Sequence, residues 1–179
     1  MTAYVALLRA VNIGSHNQVG MADLRALAER LGLREVRTIL QSGNLVFRSA
    51  GAAAEPIERR LERETKKALG VDTDFFVRTA KEWGAAVAAN PFVSEAKKDP
   101  GHLLLMCLDA APAREAAHAL EAAIKGRERV HVEGRHAWLV YPDGVGRSKL
   151  TIRLIEAKLQ ARGTARNWNT VLKLRDLLA

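Results

Sequence analysis

The order of strand-like and helix-like segments constrains this chain most, because the same order occurs twice. Residues 3–9 are apolar on both parities, Tyr4, Ala6 and Leu8 alternating with Val5 and Leu7, as in a strand covered on both faces. A polar loop with glycines follows over about 12–20. Met21, Leu24, Leu27 and Leu31 then recur at helical spacing, with Asp23 in the first turn and Gly32 at the stop. Strand-like runs at 36–40 and 45–48 meet through Gln41, Ser42, Gly43 and Asn44, which reads as a tight hairpin. Pro56 opens a helix carrying Ile57, Leu61, Ala68 and Leu69, ended by Gly70, and residues 74–78 read as a fourth strand. The result is β-α-β-β-α-β, the ferredoxin-like or split βαβ order.

Thr79-Ala80-Lys81-Glu82 is a capping-box signature for a short helix presenting Trp83 and Val87, stopped at Asn90-Pro91. The stretch to Gly101 reads as a linker, and then the pattern restarts. A strand is expected at 102–108, a helix at 112–124, and a hairpin from 128–132 and 136–141 across Glu133, Gly134 and Arg135. Leu150, Leu154, Ile155 and Leu159 mark the next helix, and a last helix near 167–178 stands where a final strand would be. The expected fold is α+β: pseudo-duplicated ferredoxin-like (split βαβ) subdomains with extra C-terminal helices. Residues 1–80 form the first subdomain, 81–101 a short helix and linker, and 102–179 a second β-α-β-β-α subdomain ending in a basic helical pair.

No apolar run approaches 18 residues, no basic segment precedes the first apolar run, and the single cysteine, Cys107, cannot form an internal disulfide. A cytoplasmic protein without a membrane partner is therefore expected. The net charge of +8 is unevenly placed, since residues 144–179 hold +6 of it. Arg147, Lys149, Arg153, Lys158, Arg162, Arg166, Lys173 and Arg175 are opposed there only by Glu156 and Asp176. Such a field favours anionic partners, among them nucleic acid, nucleotides, phosphorylated metabolites and acidic protein surfaces.

In a split βαβ order, the loop after strand one and the hairpin between strands two and three share one end of the sheet. This gathers Arg9, Asn12, Gly14, His16 and Asn17 near Gln41, Ser42 and Asn44, a set able to cradle an anion or a polar ligand. His16 is the one group of that cluster with an ordinary pKa near neutrality, and so the candidate proton carrier for an enzyme. A second candidate lies in Arg166 with Asn167 and Asn169 at the start of the last helix, and in Ser148 with Lys149 at the preceding one. Helix capping is the competing role for the two asparagines.

No Gly-x-x-x-x-Gly-Lys-Ser/Thr or Gly-x-Gly-x-x-Gly occurs, nor any Gly-x-Ser-x-Gly, His-Glu-x-x-His or Cys-x-x-Cys, so no cofactor is expected. His131 and His136 lack a third ligand at convincing spacing, so no metal is expected either. Cys107 sits in an apolar run and reads as a core thiol. An RNA-reading sheet would need aromatics on strands one and three with glycine-aromatic spacing, which Tyr4 and residues 44–48 do not supply.

Four blocks carry a family resemblance: Ala6-Leu7-Leu8-Arg9-Ala10-Val11-Asn12-Ile13-Gly14; Met21-Ala22-Asp23-Leu24; Gln41-Ser42-Gly43-Asn44-Leu45-Val46-Phe47; and Arg166-Asn167-Trp168-Asn169-Thr170-Val171. Together they resemble a bacterial family catalogued as domain of unknown function sixteen-ninety-seven, over essentially the whole chain. The resemblance implies two ferredoxin-like α/β halves and carries no established activity or catalytic residue. The leading functional expectation is a binding protein for a polar or anionic small molecule, a nucleotide or phosphorylated metabolite, in a site of Arg9, Asn12, His16, Gln41, Ser42 and Asn44 completed by Lys149, Arg166, Asn167 and Asn169. Two alternatives are a nucleic-acid-binding module using Arg147, Lys149, Arg153, Lys158 and Arg162, and a protein-interaction domain without a small ligand.

Overall fold

A computed structural model describes residues 1–51 and 53–179, and divides the chain into two compact units. The first comprises Met1–Ala85 with Leu174–Ala179, the second Ala86–Lys173. The class is α+β, with two four-stranded antiparallel sheets and, among the described residues, seven α-helices.

In the first unit the elements run β1 (Thr2–Leu8), α1 (Met21–Arg30), β2 (Arg34–Thr38), β3 (Asn44–Ser49), α2 (Ala54–Leu69) and β4 (Phe75–Thr79), followed by α3 (Ala80–Ala88). The sheet order is β2-β3-β1-β4. β1 lies at its centre, with Val5 opposite Val46 on one side and Arg78 on the other. Alternation along the strands sorts side chains between the two faces. Tyr4, Ala6, Leu8, Leu45, Phe47, Phe75 and Val77 pack with Leu24 and Ala28 of α1 and Leu61 of α2 in one core. Val5, Leu7, Val46 and Phe76, on the alternate positions, are buried as well. Both parities of the first strand were apolar for this reason.

The second unit contains α4 (Val93–Lys98), a 3-10 turn (Pro100–His102), β5 (Leu103–Leu108), α5 (Arg114–Ala123), β6 (Arg129–Glu133), β7 (His136–Val140), α6 (Ile152–Leu159) and β8 (Gly163–Asn167). α7 spans Trp168–Leu178. The sheet order, β6-β7-β5-β8, places β5 where β1 stands in the first sheet. Met106, Leu108, Ala137, Leu139 and Tyr141 build its core with Leu120 of α5 and Ile155 and Leu159 of α6.

Two local readings need correction. The segment expected as a linker before Gly101 holds α4, a single short helix with no buried residue, whose sequence VSEAKK shows no apolar periodicity to announce it. The final strand expected to be missing is present as β8. Its sequence, GTARN, alternates weakly and includes a charged residue, so the apolar pattern does not mark it. Pairing with β5 makes it a strand, with Met106 opposite Ala165 and Leu108 opposite Gly163. The capping box at Thr79 is as expected: the Glu82 amide donates to Thr79 Oγ1 at 3.1 Å and the Thr79 amide to Glu82 Oε2 at 2.8 Å.

Two glycines are required by close approach. Gly43 has φ +83°, and a Cβ there would lie 2.8 Å from Leu8 Cβ and from Val11 Cγ2. A Cβ on Gly163 would lie 2.7 Å from the Cys107 carbonyl oxygen, inside the β5–β8 ladder. Gly43→Ala is expected to cost about 2 kcal/mol or more, adding left-handed backbone strain to overpacking against β1. Urea unfolding at unchanged m-value measures it, and a loss under about 0.5 kcal/mol would contradict the close approach.

Candidate functional site

The loop following β1 and the hairpin between β2 and β3 do meet at one end of the first sheet. Asn12 ties them together: its Nδ2 donates to the Gln41 carbonyl at 2.6 Å and to the Val19 carbonyl at 3.0 Å, while its Oδ1 accepts from the Val19 amide at 2.8 Å. Asn44, wholly buried, donates to the Ile39 carbonyl at 2.8 Å and to Ser42 Oγ at 3.0 Å. Asn17 donates to the Asp72 carbonyl at 3.3 Å. Arg9, half-buried beyond the end of β1, donates to Asp74 Oδ2 at 3.3 Å, and its carbonyl accepts from Thr73 Oγ1 at 2.6 Å. The three asparagine amides therefore hold backbone. His16 and Gln41 are exposed, and their side chains have no bonding partner among the described residues.

Backbone of unusual conformation gathers at this end. Ala10, Asn12, Asn17 and Leu40 have positive φ, as do Gly14 and Gly43. Asparagine tolerates the left-handed region better than most residues, which explains its use at 12 and 17. Leu40 does not, and its side chain is exposed there.

The remaining candidates belong to the second unit. Arg166 is not at a helix N-terminus but inside β8, opposite Leu105. It is buried, with Nη1 donating to Thr164 Oγ1 at 2.8 Å and to the Ala165 carbonyl at 2.9 Å. Burial pushes its guanidinium pKa down to about 10, since the charged form loses water. Asn167 is a cap: its Oδ1 accepts from the Thr170 amide at 3.1 Å. Asn169 is exposed on α7. Ser148 does not begin α6 either. Thr151 caps that helix, accepting from the Leu154 amide at 3.2 Å.

Ser148 instead shapes a cavity around Lys149. Its hydroxyl donates to Glu128 Oε1 at 2.6 Å and accepts from the Leu150 amide at 3.0 Å. The bond from Ser148 holds the Glu128 carboxyl below its usual range. The Leu150 carbonyl accepts from the Tyr141 hydroxyl at 2.9 Å, so Leu150 is held through both its backbone groups. The cavity, about 380 Å³, is lined by Ala123 at the end of α5 with Ile124 and Lys125 after it, by Glu128, by Lys149 and Leu150, and by Leu154 and Lys158 of α6. Lys125, Lys149 and Lys158 are exposed and have no acidic partner among the described residues. Sequence reasoning found Lys149 and Lys158 but missed Lys125, Glu128 and the apolar floor, because only packing brings the end of α5 beside α6.

Other sequence candidates resolve into structural roles. Tyr4 and Phe47 stack with ring centroids 5.5 Å apart inside the first core, so they form no exposed base platform. Cys107 is buried. His131 and His136 flank Trp138, with centroids 5.7 and 6.2 Å away. Among the described residues no three His, Cys, Asp or Glu groups assemble as a metal site, and no helix is long and apolar enough to cross a membrane.

Comparison with known proteins follows the same lines. A family model described as "Protein of unknown function (DUF1697)" matches residues 1–138. Three of the four blocks noted in the sequence lie in that range, and the Arg166–Val171 block lies beyond it. No curated protein matches the chain. Among solved structures, a conserved bacterial protein, SP0830 from Streptococcus pneumoniae, is similar at 20% identity with a TM-score of 0.76, over 99% of each chain. At that identity the likeness speaks for the fold alone.

Two measurements test the local geometry. Asn12→Ala removes three hydrogen bonds at a residue of positive φ and is expected to cost about 2 kcal/mol, with Asn12→Gly milder because it keeps the φ. Equal losses for the two would show that φ is unimportant there. Burial raises the Tyr141 pKa to about 12. The unfolded chain then releases this proton first, so the contribution is whole below about pH 10 and is lost as pH rises towards 12. The stability difference between wild type and Tyr141→Phe should shrink by about 2 kcal/mol across that window. A difference independent of pH would rule out the buried, neutral phenol.

Proposed function

From the premise that this chain belongs to the DUF1697 family, we propose that it is a cytosolic binding protein for an anionic small molecule, held in the cavity around Lys149. The observation that carries this reading is the trio Lys125, Lys149 and Lys158, without acidic partners, around one concave surface. Three ammonium groups around one concave surface, with a single carboxylate in its lining, make a positive field there whose natural counter-charge is an anionic ligand. Glu128 is the single acid of the lining, and its carboxylate already accepts from Ser148.

The shared strand order, β2-β3-β1-β4 and β6-β7-β5-β8, supports reading both units as ferredoxin-like and related by duplication. Buried arginines at matching places, Arg78 opposite Val5 and Arg166 opposite Leu105, support the same reading. The loop end of the first unit, with Arg9, Asn12, His16, Asn17, Gln41, Ser42 and Asn44, is the competing location for the ligand. Its weakness is that Asn12, Asn17 and Asn44 already hold backbone.

A thermal-shift series with AMP, glucose 6-phosphate, octanoate and a short RNA, at low salt and at 150 mM salt, tests the reading. A small anion at about 100 times its Kd should add about 2.7 kcal/mol, or roughly 5–10 °C in Tm. The shift should vanish in Lys149→Ala/Lys158→Ala and persist in His16→Ala. The reverse pattern would move the ligand to the loops. Stabilisation by RNA alone, and only at low salt, would replace this reading with phosphate-backbone binding by the basic helices.

A further inference from the structure

The lining of the cavity says more about its ligand than the charge does. Ala123, Ile124, Leu150 and Leu154 supply its floor, and the lysines add their aliphatic stems. No lining side chain carries a hydroxyl, amide or imidazole. The one other polar group, the Glu128 carboxylate, is bonded to Ser148 and charged, with its pKa held down by that bond. We infer that this cavity takes an amphipathic anion, a carboxylate or phosphate monoester on an acyl or aryl body, with the body on the Ile124–Leu150–Leu154 floor and the anionic group among Lys125, Lys149 and Lys158. The inference rests on the anion-binding reading and narrows it.

The physical argument is one of unpaired groups. A nucleotide or sugar phosphate brings several hydroxyls or base edges that lose water on binding, and each buried without a partner costs on the order of 1–3 kcal/mol. A pocket selecting such ligands places convergent donors and acceptors on its walls. This one offers methyl and methylene groups below and ammonium groups at the edge. An apolar body gains from that floor about 25 cal/mol for each Å² removed from water. The volume, about 380 Å³, lies within the range of small-molecule sites, roughly 300–1,000 Å³. The floor is also set in advance, since Leu150 is fixed at its amide by Ser148 and at its carbonyl by Tyr141.

The test is an NMR titration of the whole chain at 150 mM salt with four probes: octanoate, octanol, inorganic phosphate and AMP. Saturable octanoate binding is expected, with amide shifts centred on Leu150, Leu154 and Lys158, and at least tenfold stronger than for the other three. Lys149→Met/Lys158→Met should reduce octanoate affinity at least tenfold, and Leu154→Ser should reduce it similarly. All three side chains lie at or near the surface, and unchanged spectra away from the cavity verify folding. Saturable binding of AMP or phosphate here, without octanoate, would overturn the amphipathic ligand and leave the anion reading standing. Equal binding of octanol and octanoate would overturn both, because the lysines would then read no charge. Absence of saturable binding by any probe at millimolar concentration would likewise overturn both.

Discussion

Each sheet depends on the pairing of one central strand with a neighbour on either side. β1 is hydrogen-bonded to β3 and β4, and β5 to β7 and β8. A strand in that position has both edges paired, and here both of its faces are buried too, which accounts for apolar residues on both parities. From Tyr4 to Leu8 every side chain is fully buried, and Leu105 to Leu108 repeat this in the second sheet. The loop cluster of the first unit follows from a strand end. Where β1 stops, the chain turns into a loop held to the β2–β3 hairpin by Asn12, and the Gly43 carbonyl accepts from the Leu8 amide at 3.0 Å.

Each sheet also holds a buried guanidinium. Arg78 and Arg166 stand on the fourth strands, one residue before the cap of the helix that follows. Removing such a group from water is costly unless its donors are satisfied, and both give bonds to neighbouring backbone carbonyls. Arg166 shows the cost directly in its lowered pKa of about 10. In a sequence, an arginine beside a helix start reads as surface charge near a dipole. Two residues of strand register turn it into a buried polar anchor, with Thr164 on the same face of β8 accepting one of its bonds.

The candidate site divides in the same way between what pattern announces and what it conceals. The loop cluster of the first unit was legible because the order of its elements brings the loop after β1 to the β2–β3 hairpin. That its asparagines would be consumed by backbone was not legible, since Asn12 acts across 29 positions of sequence to reach Gln41. The cavity was half legible. Lys149 and Lys158 stand out in a basic segment, whereas Lys125 and Ile124 lie beyond the end of α5 and gain meaning only from the helix packed beside it. The role of Ser148 was concealed for a simpler reason. A serine four residues before a helix resembles a cap, but Thr151 holds that place, and the Ser148 hydroxyl goes instead to Glu128, twenty positions earlier.

What the sequence by itself determined is the succession of elements in the first unit, the burial of its opening strand on both faces, the capping box at Thr79 and the concentration of positive charge after residue 144. These are local properties: apolar period, turn residues, caps and counted charge, each set within a few positions. The tertiary structure alone decided that GTARN is a strand, that Arg166 is buried, and that three lysines surround one apolar floor. Each of those outcomes depends on partners far away in the chain. β8 exists because it pairs along the side of β5 that β7 leaves open, Arg166 is buried because register turns it inward with Thr164, and the cavity lies between the end of α5 and α6.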